Sequence, residues 1–200
     1  GWNAYTNSGT PSFSNHGTHV AGTIGAVGNN GIGVVGVNWN VKVMPISGSS
    51  SLEATVIAAY SYVLDMRKMY NETAGDKGAY VVSTNASFGV DYGDPADYPL
   101  WCAMYDSLGL AGILSAGATA NLNVNIDVVN DVPTACGSNF LLSVTNTTSS
   151  DIKNPGAAYG ATTIDLGAPG TGILSTTSNG YGNLTGFFAL VESAFCALRS

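Results

Sequence analysis

The sequence predicts an α/β fold in which helices flank a mainly parallel β-sheet. Apolar, β-rich runs alternate with stretches of helical hydrophobic spacing, which is typical of parallel strands joined by crossover helices. The 200 residues are 45% hydrophobic, enough to fill one core. No internal repeat, linker or low-complexity tract divides the chain, so we expect one domain.

The first half of the chain predicts a strand followed by a long helix. Residues 41–45, Val-Lys-Val-Met-Pro, alternate toward a strand. Ser50 and Glu53 match a capping box that opens a helix. Apolar residues then recur at helical spacing from Leu52 to about Tyr70, which predicts one buried stripe.

The second half continues the alternation. Residues 79–83 are apolar and predict a buried strand that leads into residues 85–89. A second helical stretch spans about 95–110. Further strands are predicted at 112–116 and 140–144, and strands and turns at 159–177. Functional loops are expected at the carboxyl ends of these strands.

Composition excludes two classes of partner and favours one compartment. A net charge of −7, with only 6 Lys and Arg, argues against binding nucleic acid. No run of roughly 18 to 20 apolar residues is present, so we expect no membrane partner. Low charge with 26 glycines is common in secreted enzymes, and we expect a secreted monomer.

Three cysteines, at positions 102, 136 and 196, fit no metal-binding spacing. Two interpretations stay open. Cys102 and Cys136 form a disulfide in an oxidising compartment, or all three are buried free thiols.

A histidine, His16, lies in a run of small residues, 15–25, which reads N-H-G-T-H-V-A-G-T-I-G. Glycine and alanine would leave one helix face nearly flat, so that another backbone or a peptide could approach the imidazole. The alternative is a hydrogen-bonded structural histidine. A metal pair with His19 is not favoured, because no acidic residue precedes Glu53, and we predict no catalytic metal.

The run H-G-T-H-V-A-G-T-I-G-A, residues 16–26, resembles the histidine motif of the subtilisin-like serine proteases in unbroken register. The resemblance implies a three-layer α/β fold, a polypeptide substrate and no required cofactor. It makes His16 the general base that takes a proton from a serine hydroxyl and returns it to the leaving amine. His19 is then structural.

Residues 85–89 resemble the N-x-S-x-G segment of this family. The resemblance implies that Ser87, Phe88 and Gly89 form one wall of a site where a peptide adds as an extended strand. A nucleophile elbow at Ser87 is discounted, because Asn85 stands where that motif requires glycine.

The segment Ser115-Ala116-Gly117 resembles the second wall, after which family members place an asparagine that donates to the oxyanion. Here three other residues intervene. Asn121 is the predicted donor, with Asn123 and Asn125 as alternates. The alternative is an asparagine that serves only a turn.

Residues 31–36, G-I-G-V-V-G, match a dinucleotide-binding fingerprint. That mechanism needs a strand before the glycines and a helix after them, whereas the order here is reversed, so a nicotinamide-dependent enzyme is not favoured. The loop resembles one that binds structural calcium in several subtilisin-like proteases. Asn30 and nearby carbonyls are the candidate ligands, but the carboxylate would lie upstream of this chain.

Residues 165–170, D-L-G-A-P-G, resemble the segment that precedes the serine motif. After Gly186, where G-T-S-x-A would follow, the chain reads F-F-A-L-V-E, and Ser193 has no flanking glycine and is not assigned. The triad aspartate would lie before Gly1. We expect residues 1–186 to be a partial peptidase domain truncated at both ends, and 187–200 a divergent end that a frameshift would explain.

Two functions follow from this resemblance. The first is the central part of a secreted serine endopeptidase, which as given lacks the triad Asp and Ser and is expected to be inactive. The second is a catalytically inactive relative that binds extended peptides without cutting them.

Overall fold

The computed structural model describes residues 1–186, and the predicted divergent end, 187–200, lies outside the described residues. The elements in chain order are β1 (Trp2–Asn3), α1 (Asn15–Gly25), β2 (Ile46–Ser47), α2 (Glu53–Glu72), β3 (Ser83–Ala86), β4 (Val90–Asp91), α3 (Pro99–Leu110), β5 (Leu114–Ala118), α4 (Ile126–Val129), β6 (Asp131–Val132), β7 (Leu141–Thr147), β8 (Leu166–Pro169), β9 (Ile173–Thr177) and β10 (Gly180–Leu184).

A four-stranded parallel sheet is the centre of the fold. Its strand order is β3-β5-β7-β8, and every neighbouring pair is parallel. Helices α2 and α3 pack against each other, and α3 contacts β5. The predicted α/β fold, a parallel sheet flanked by helices, is confirmed.

The core has a large apolar cluster between the two long helices and the sheet, and a smaller one of short side chains around β5, β7 and β8. Trp101 and Tyr105 are fully buried in the larger cluster. The indole Nε1 of Trp101 donates to the Tyr105 hydroxyl at 2.9 Å, and that hydroxyl lies 3.1 Å from the hydroxyl of Tyr60. The network satisfies polar atoms that burial would otherwise leave without partners.

A disulfide joins Cys102 in α3 to Cys136, before β7, with their Cα atoms 5.1 Å apart. The structure therefore decides between the two interpretations of these cysteines in favour of the bridge. Cys196 lies outside the described residues. Among the described residues, no helix is long and apolar enough to cross a membrane.

Several predicted boundaries need correction. The strand predicted at 41–45 is displaced to β2, Ile46–Ser47. The strand predicted from 79 begins at Ser83, since Tyr80 is 57% exposed and stacks its ring under the Arg67 guanidinium at 4.2 Å. An apolar run can therefore precede a strand and cover a charged side chain.

The predicted capping box is also wrong. The Ser50 hydroxyl accepts from the amide of Leu52 at 3.0 Å, and α2 starts one residue later. The Glu53 carboxylate instead accepts from the backbone amide of Trp101 at 2.8 Å. Glu53 therefore ties the start of α2 to the start of α3, a long-range contact that local spacing does not encode.

Two antiparallel ribbons lie outside the parallel sheet. Strand β4 pairs with β6, which places Asp91 opposite Asp131. Strands β9 and β10 form a hairpin that follows β8, and α1 packs on β9. One ribbon thus extends from the carboxyl end of β3, and the other from the carboxyl end of β8.

Candidate functional site

A cavity of about 140 Å³ lies at the carboxyl ends of β3 and β5. It is lined by residues 87–89, residues 118–121, Asp91 and Asp131. Because β3 and β5 are parallel neighbours, the segments that leave them meet at the same edge of the sheet.

The first wall, residues 87–89, is held on three sides. The side-chain amide of Asn85 donates to the Ser87 hydroxyl at 2.8 Å, and the Phe88 ring stacks on Trp101 with 5.7 Å between centroids. A Cβ at Gly89 would overlap the carbonyl oxygen of Val132. Only glycine therefore lets this wall approach β6 so closely. The structure places all three predicted residues at the cavity.

The second wall lies further along the chain than the resemblance implies. Ser115, Ala116 and Gly117 are buried inside β5, between β3 and β7, and the cavity wall starts at Ala118. A Cβ at Gly117 would lie 2.9 Å from the Cγ atom of Pro133, so this glycine serves packing inside the domain. Substrate contact by residues 115–117 stays a prediction that this geometry does not support.

Asn121 is exposed and lines the cavity, and its side chain makes no hydrogen bond with the described residues. The two alternates are engaged elsewhere. The Asn123 side-chain oxygen accepts from the Lys153 ammonium at 3.0 Å, and that of Asn125 caps α4 by accepting from the amide of Asp127 at 3.1 Å. Of the three asparagines, Asn121 alone is available to a ligand in the cavity.

Asp131 belongs to the cavity although no sequence motif marks it. It is only 1% exposed, yet it lines the cavity. Its Oδ2 atom accepts from the Ala120 amide at 3.0 Å and from the Thr134 hydroxyl at 2.6 Å. Burial raises the pKa of this carboxyl to about 7, although the two hydrogen bonds act to lower it. The charge of Asp91 raises this pKa by a smaller amount.

His16 lies in the first turn of α1 and is half-buried. The helix is capped by Ser14, whose hydroxyl oxygen accepts from the amide of Gly17 at 2.9 Å. Burial, and then the nearby His19, lower the pKa of the His16 imidazole. The ring is therefore held toward its neutral form, which is the form that a general base needs.

His19 is completely buried, and its Nε2 atom donates to the carbonyl oxygen of Ile173 at 3.0 Å. This bond joins α1 to β9, which gives His19 a structural role. A Cβ at Gly22 would overlap the Thr176 hydroxyl and lie 2.6 Å from that of Ser175. The flat face predicted on α1 exists, but the protein's own hairpin occupies it.

The hairpin also sets the position of α1 relative to the sheet. Strand β9 begins four residues after the end of β8, at the carboxyl edge that also carries the cavity. The side chain of Asn15 accepts from the amide and the hydroxyl of Ser178, beyond the far end of β9, at 3.0 and 3.1 Å. His16 thus belongs to a helix fixed to this edge, although it is not among the residues that line the cavity.

The glycine-rich loop encloses a second cavity, of about 200 Å³, lined by residues 27–35. The loop follows α1 and leads to β2, the reverse of a dinucleotide-binding turn. The Asn30 side chain already accepts from the amide of Ile32 at 3.0 Å, and no residue of 27–35 is acidic. Carbonyl oxygens alone are a poor calcium shell, so calcium binding stays a prediction.

Known proteins similar to this chain were identified in sequence and in structure. A model of the subtilase family matches residues 1–192. An extracellular basic protease of Dichelobacter nodosus is 35% identical over 167 residues, which cover 82% of this chain and 26% of that protein. An extracellular protease of Xanthomonas campestris pv. campestris is 31% identical over 185 residues, which cover 86% of this chain and 29% of that protein.

A solved structure supports the fold assignment. A cold-adapted subtilisin-like serine proteinase superposes with a TM-score of 0.70 at 24% identity, covering 96% of this chain and 63% of that one. The likeness shows the fold. The chain spans less than a third of the length of each of the two relatives named above.

Proposed function

Because the chain belongs to the subtilase family, we propose that it is the central part of a secreted serine endopeptidase that holds an extended polypeptide across the cavity. The observation that carries this proposal is the meeting of Ser87, Phe88 and Gly89 with Asn121 around one cavity. The family relation supports proteolysis, and relatives named as extracellular proteases support secretion.

The two walls have complementary tasks in this proposal. Residues 87–89 present backbone groups to an extended peptide, which binds by main-chain hydrogen bonds irrespective of most of its sequence. Asn121 donates its side-chain amide to the oxygen of the scissile carbonyl as negative charge develops there. His16 accepts the proton of the attacking serine and returns it to the leaving amine.

The lowered pKa of His16 suits that task. A base must be unprotonated at the start of the reaction, and burial disfavours the charged imidazolium. The neighbouring His19 acts in the same direction. The serine that His16 would activate and the aspartate that would orient it are not assigned to any residue of this chain.

The decisive experiment uses the gene with its flanking coding sequence. A full-length protein that supplies the missing Asp and Ser is expected to react with a fluorophosphonate probe and to hydrolyse extended peptides. His16→Ala should lower turnover by about 10⁴-fold. An equal rate in that variant, with an unchanged urea midpoint, would rule out His16 as the base.

The oxyanion role has its own test with a matched control. Asn121→Ala should lower turnover by about 10²- to 10³-fold. Asn123→Ala removes a nearby asparagine whose side chain, within residues 1–186, bonds to Lys153 alone, and it should change turnover by less than about twofold. Equal effects of the two substitutions would reject Asn121 as the donor.

The inactive peptide-binding relative is the alternative. It predicts peptide binding in the same cavity without probe labelling, and the full-length protein distinguishes the two. A calcium requirement and a monomeric state stay predictions, which calorimetric titration with calcium and sedimentation analysis test directly.

A further inference from the structure

We propose that Asp131, with Asp91 beside it, makes this cavity select a cationic side chain, lysine or arginine, of the bound peptide. The inference rests on the proposed function, because it assumes that a peptide occupies the cavity. It adds the chemical class of the residue that the cavity receives.

The first step is the position of Asp131. Strand β6 pairs with β4 and sets Asp131 directly opposite Asp91, and both residues line the cavity between the two walls. Gly89 permits this arrangement, since a side chain there would collide with the carbonyl of Val132. The contact that positions the first wall therefore also sets the buried Asp131 and the exposed Asp91 at the cavity.

The second step is the unequal bonding of the Asp131 carboxylate. Its Oδ2 atom accepts from both Ala120 and Thr134, whereas its Oδ1 atom accepts no hydrogen bond from the described residues. The residue is only 1% exposed and still borders the cavity. A carboxylate oxygen that borders a cavity without a donor is a strong acceptor for an incoming N–H group.

The third step is the missing counter-charge. No cation among the described residues bonds to Asp131, and the titratable group that acts on it, Asp91, carries the same charge. Desolvation and this repulsion together hold the pKa near 7. A cation in the cavity would relieve both, so the folded protein favours a charged ligand over a neutral one of the same shape.

The carboxylates of Asp131 and Asp91 fit an ammonium or guanidinium group better than a metal ion. Among the described residues, no three His, Cys, Asp or Glu side chains gather into a possible metal site. Calcium requires six to eight oxygen ligands, whereas an ammonium or guanidinium group needs only one open carboxylate oxygen, such as Oδ1 of Asp131, to accept a charged N–H group. An overall charge of −7 also attracts basic peptides.

The test compares two peptides that differ only in charge. Acetyl-Ala-Ala-Ala-Arg-amide and its citrulline counterpart have nearly the same shape, and their affinities for the chain are measured by calorimetry at pH 8. We expect the arginine peptide to bind about 10-fold tighter or more. At pH 5.5, where Asp131 is protonated, the ratio of the two affinities should be smaller.

Substitutions of single acidic residues test which carboxylate causes the preference for the arginine peptide. Asp131→Asn keeps an oxygen for Ala120 and Thr134, and it should reduce the preference to about twofold or less. Asp97→Asn, at an exposed acid that does not line the cavity, should retain it. Asp91→Asn is a second variant that should weaken the preference if Asp131→Asn does not fold.

The outcomes distinguish a failure of the selectivity proposal from a failure of the proposed function. If both peptides bind equally, or if Asp131→Asn keeps the preference, the cavity binds peptides but the selectivity proposal is wrong. If neither peptide binds, peptide binding at this cavity fails, and the selectivity proposal fails with it.

Discussion

We predict that Asp131→Asn changes how the stability of the fold depends on pH, because a buried carboxyl with a raised pKa couples unfolding to protonation. Its pKa is about 7 in the folded protein, against an ordinary value of 3.8. Between these values the folded state binds more protons than the unfolded state, so this residue lowers the stability as the pH rises. The loss is complete above pH 7.

The magnitude follows from the two pKa values. Each pH unit between them corresponds to about 1.4 kcal/mol, so ionised Asp131 costs the fold up to about 4 kcal/mol above pH 7. About 3 kcal/mol of that loss falls between pH 5 and pH 8. The Asn side chain does not titrate and retains an acceptor for the Ala120 amide and the Thr134 hydroxyl.

Urea unfolding of both proteins at pH 5 and pH 8 measures this effect. The stability of Asp131→Asn relative to the wild type should increase by about 3 kcal/mol from the lower pH to the higher one. Asp97→Asn, an exposed control, should differ from the wild type by the same small amount at both pH values. A pH-independent difference for Asp131→Asn would refute the reasoning that burial raises its pKa.

Three further predictions concern α1 and the disulfide. Gly22→Ala should destabilise the fold by about 1 to 3 kcal/mol in urea unfolding, because its Cβ would overlap the hairpin. Gly17→Ala, at an exposed position of the same helix, should cost less, because its Cβ would meet only the exposed Ser14 hydroxyl, at 3.1 Å. Equal effects would contradict the packing. Replacing both cysteines of the Cys102–Cys136 disulfide by serine should lower the stability by about 4 kcal/mol, given their sequence separation of 34, and a loss under about 1 kcal/mol would show that the bridge contributes little. In an NMR titration, the His16 ring should have a pKa below 6.5, and a value above 6.5 would contradict its burial.

Local hydrophobic spacing predicts much of the fold. The helix predicted from Leu52 matches α2, because the residues that repeat at helical spacing, such as Tyr60 and Val63, face the buried cluster. The strand predicted at 79–83 fails because Tyr80 packs against Arg67 on the surface. Composition cannot distinguish an apolar side chain that covers a guanidinium from one that lies in a sheet.

The candidate site is predicted only where its residues are continuous in sequence. Ser87, Phe88 and Gly89 form one short motif, and the structure places them at the cavity. Residues 115–117 come three positions too early, because pairing with both neighbouring strands buries them before the chain reaches the cavity. Asp131 joins the site through its pairing with Asp91, forty positions away, and no local pattern encodes that contact.

The central claim is that an extended peptide lies between residues 87–89 and 118–121. A titration of the ¹⁵N-labelled chain with the arginine peptide, followed by amide chemical shifts, tests it most directly. The claim predicts that the largest shifts occur at the amides of these two segments and of Asp131. Saturable shifts confined to other surfaces, or no shifts at all, would contradict it.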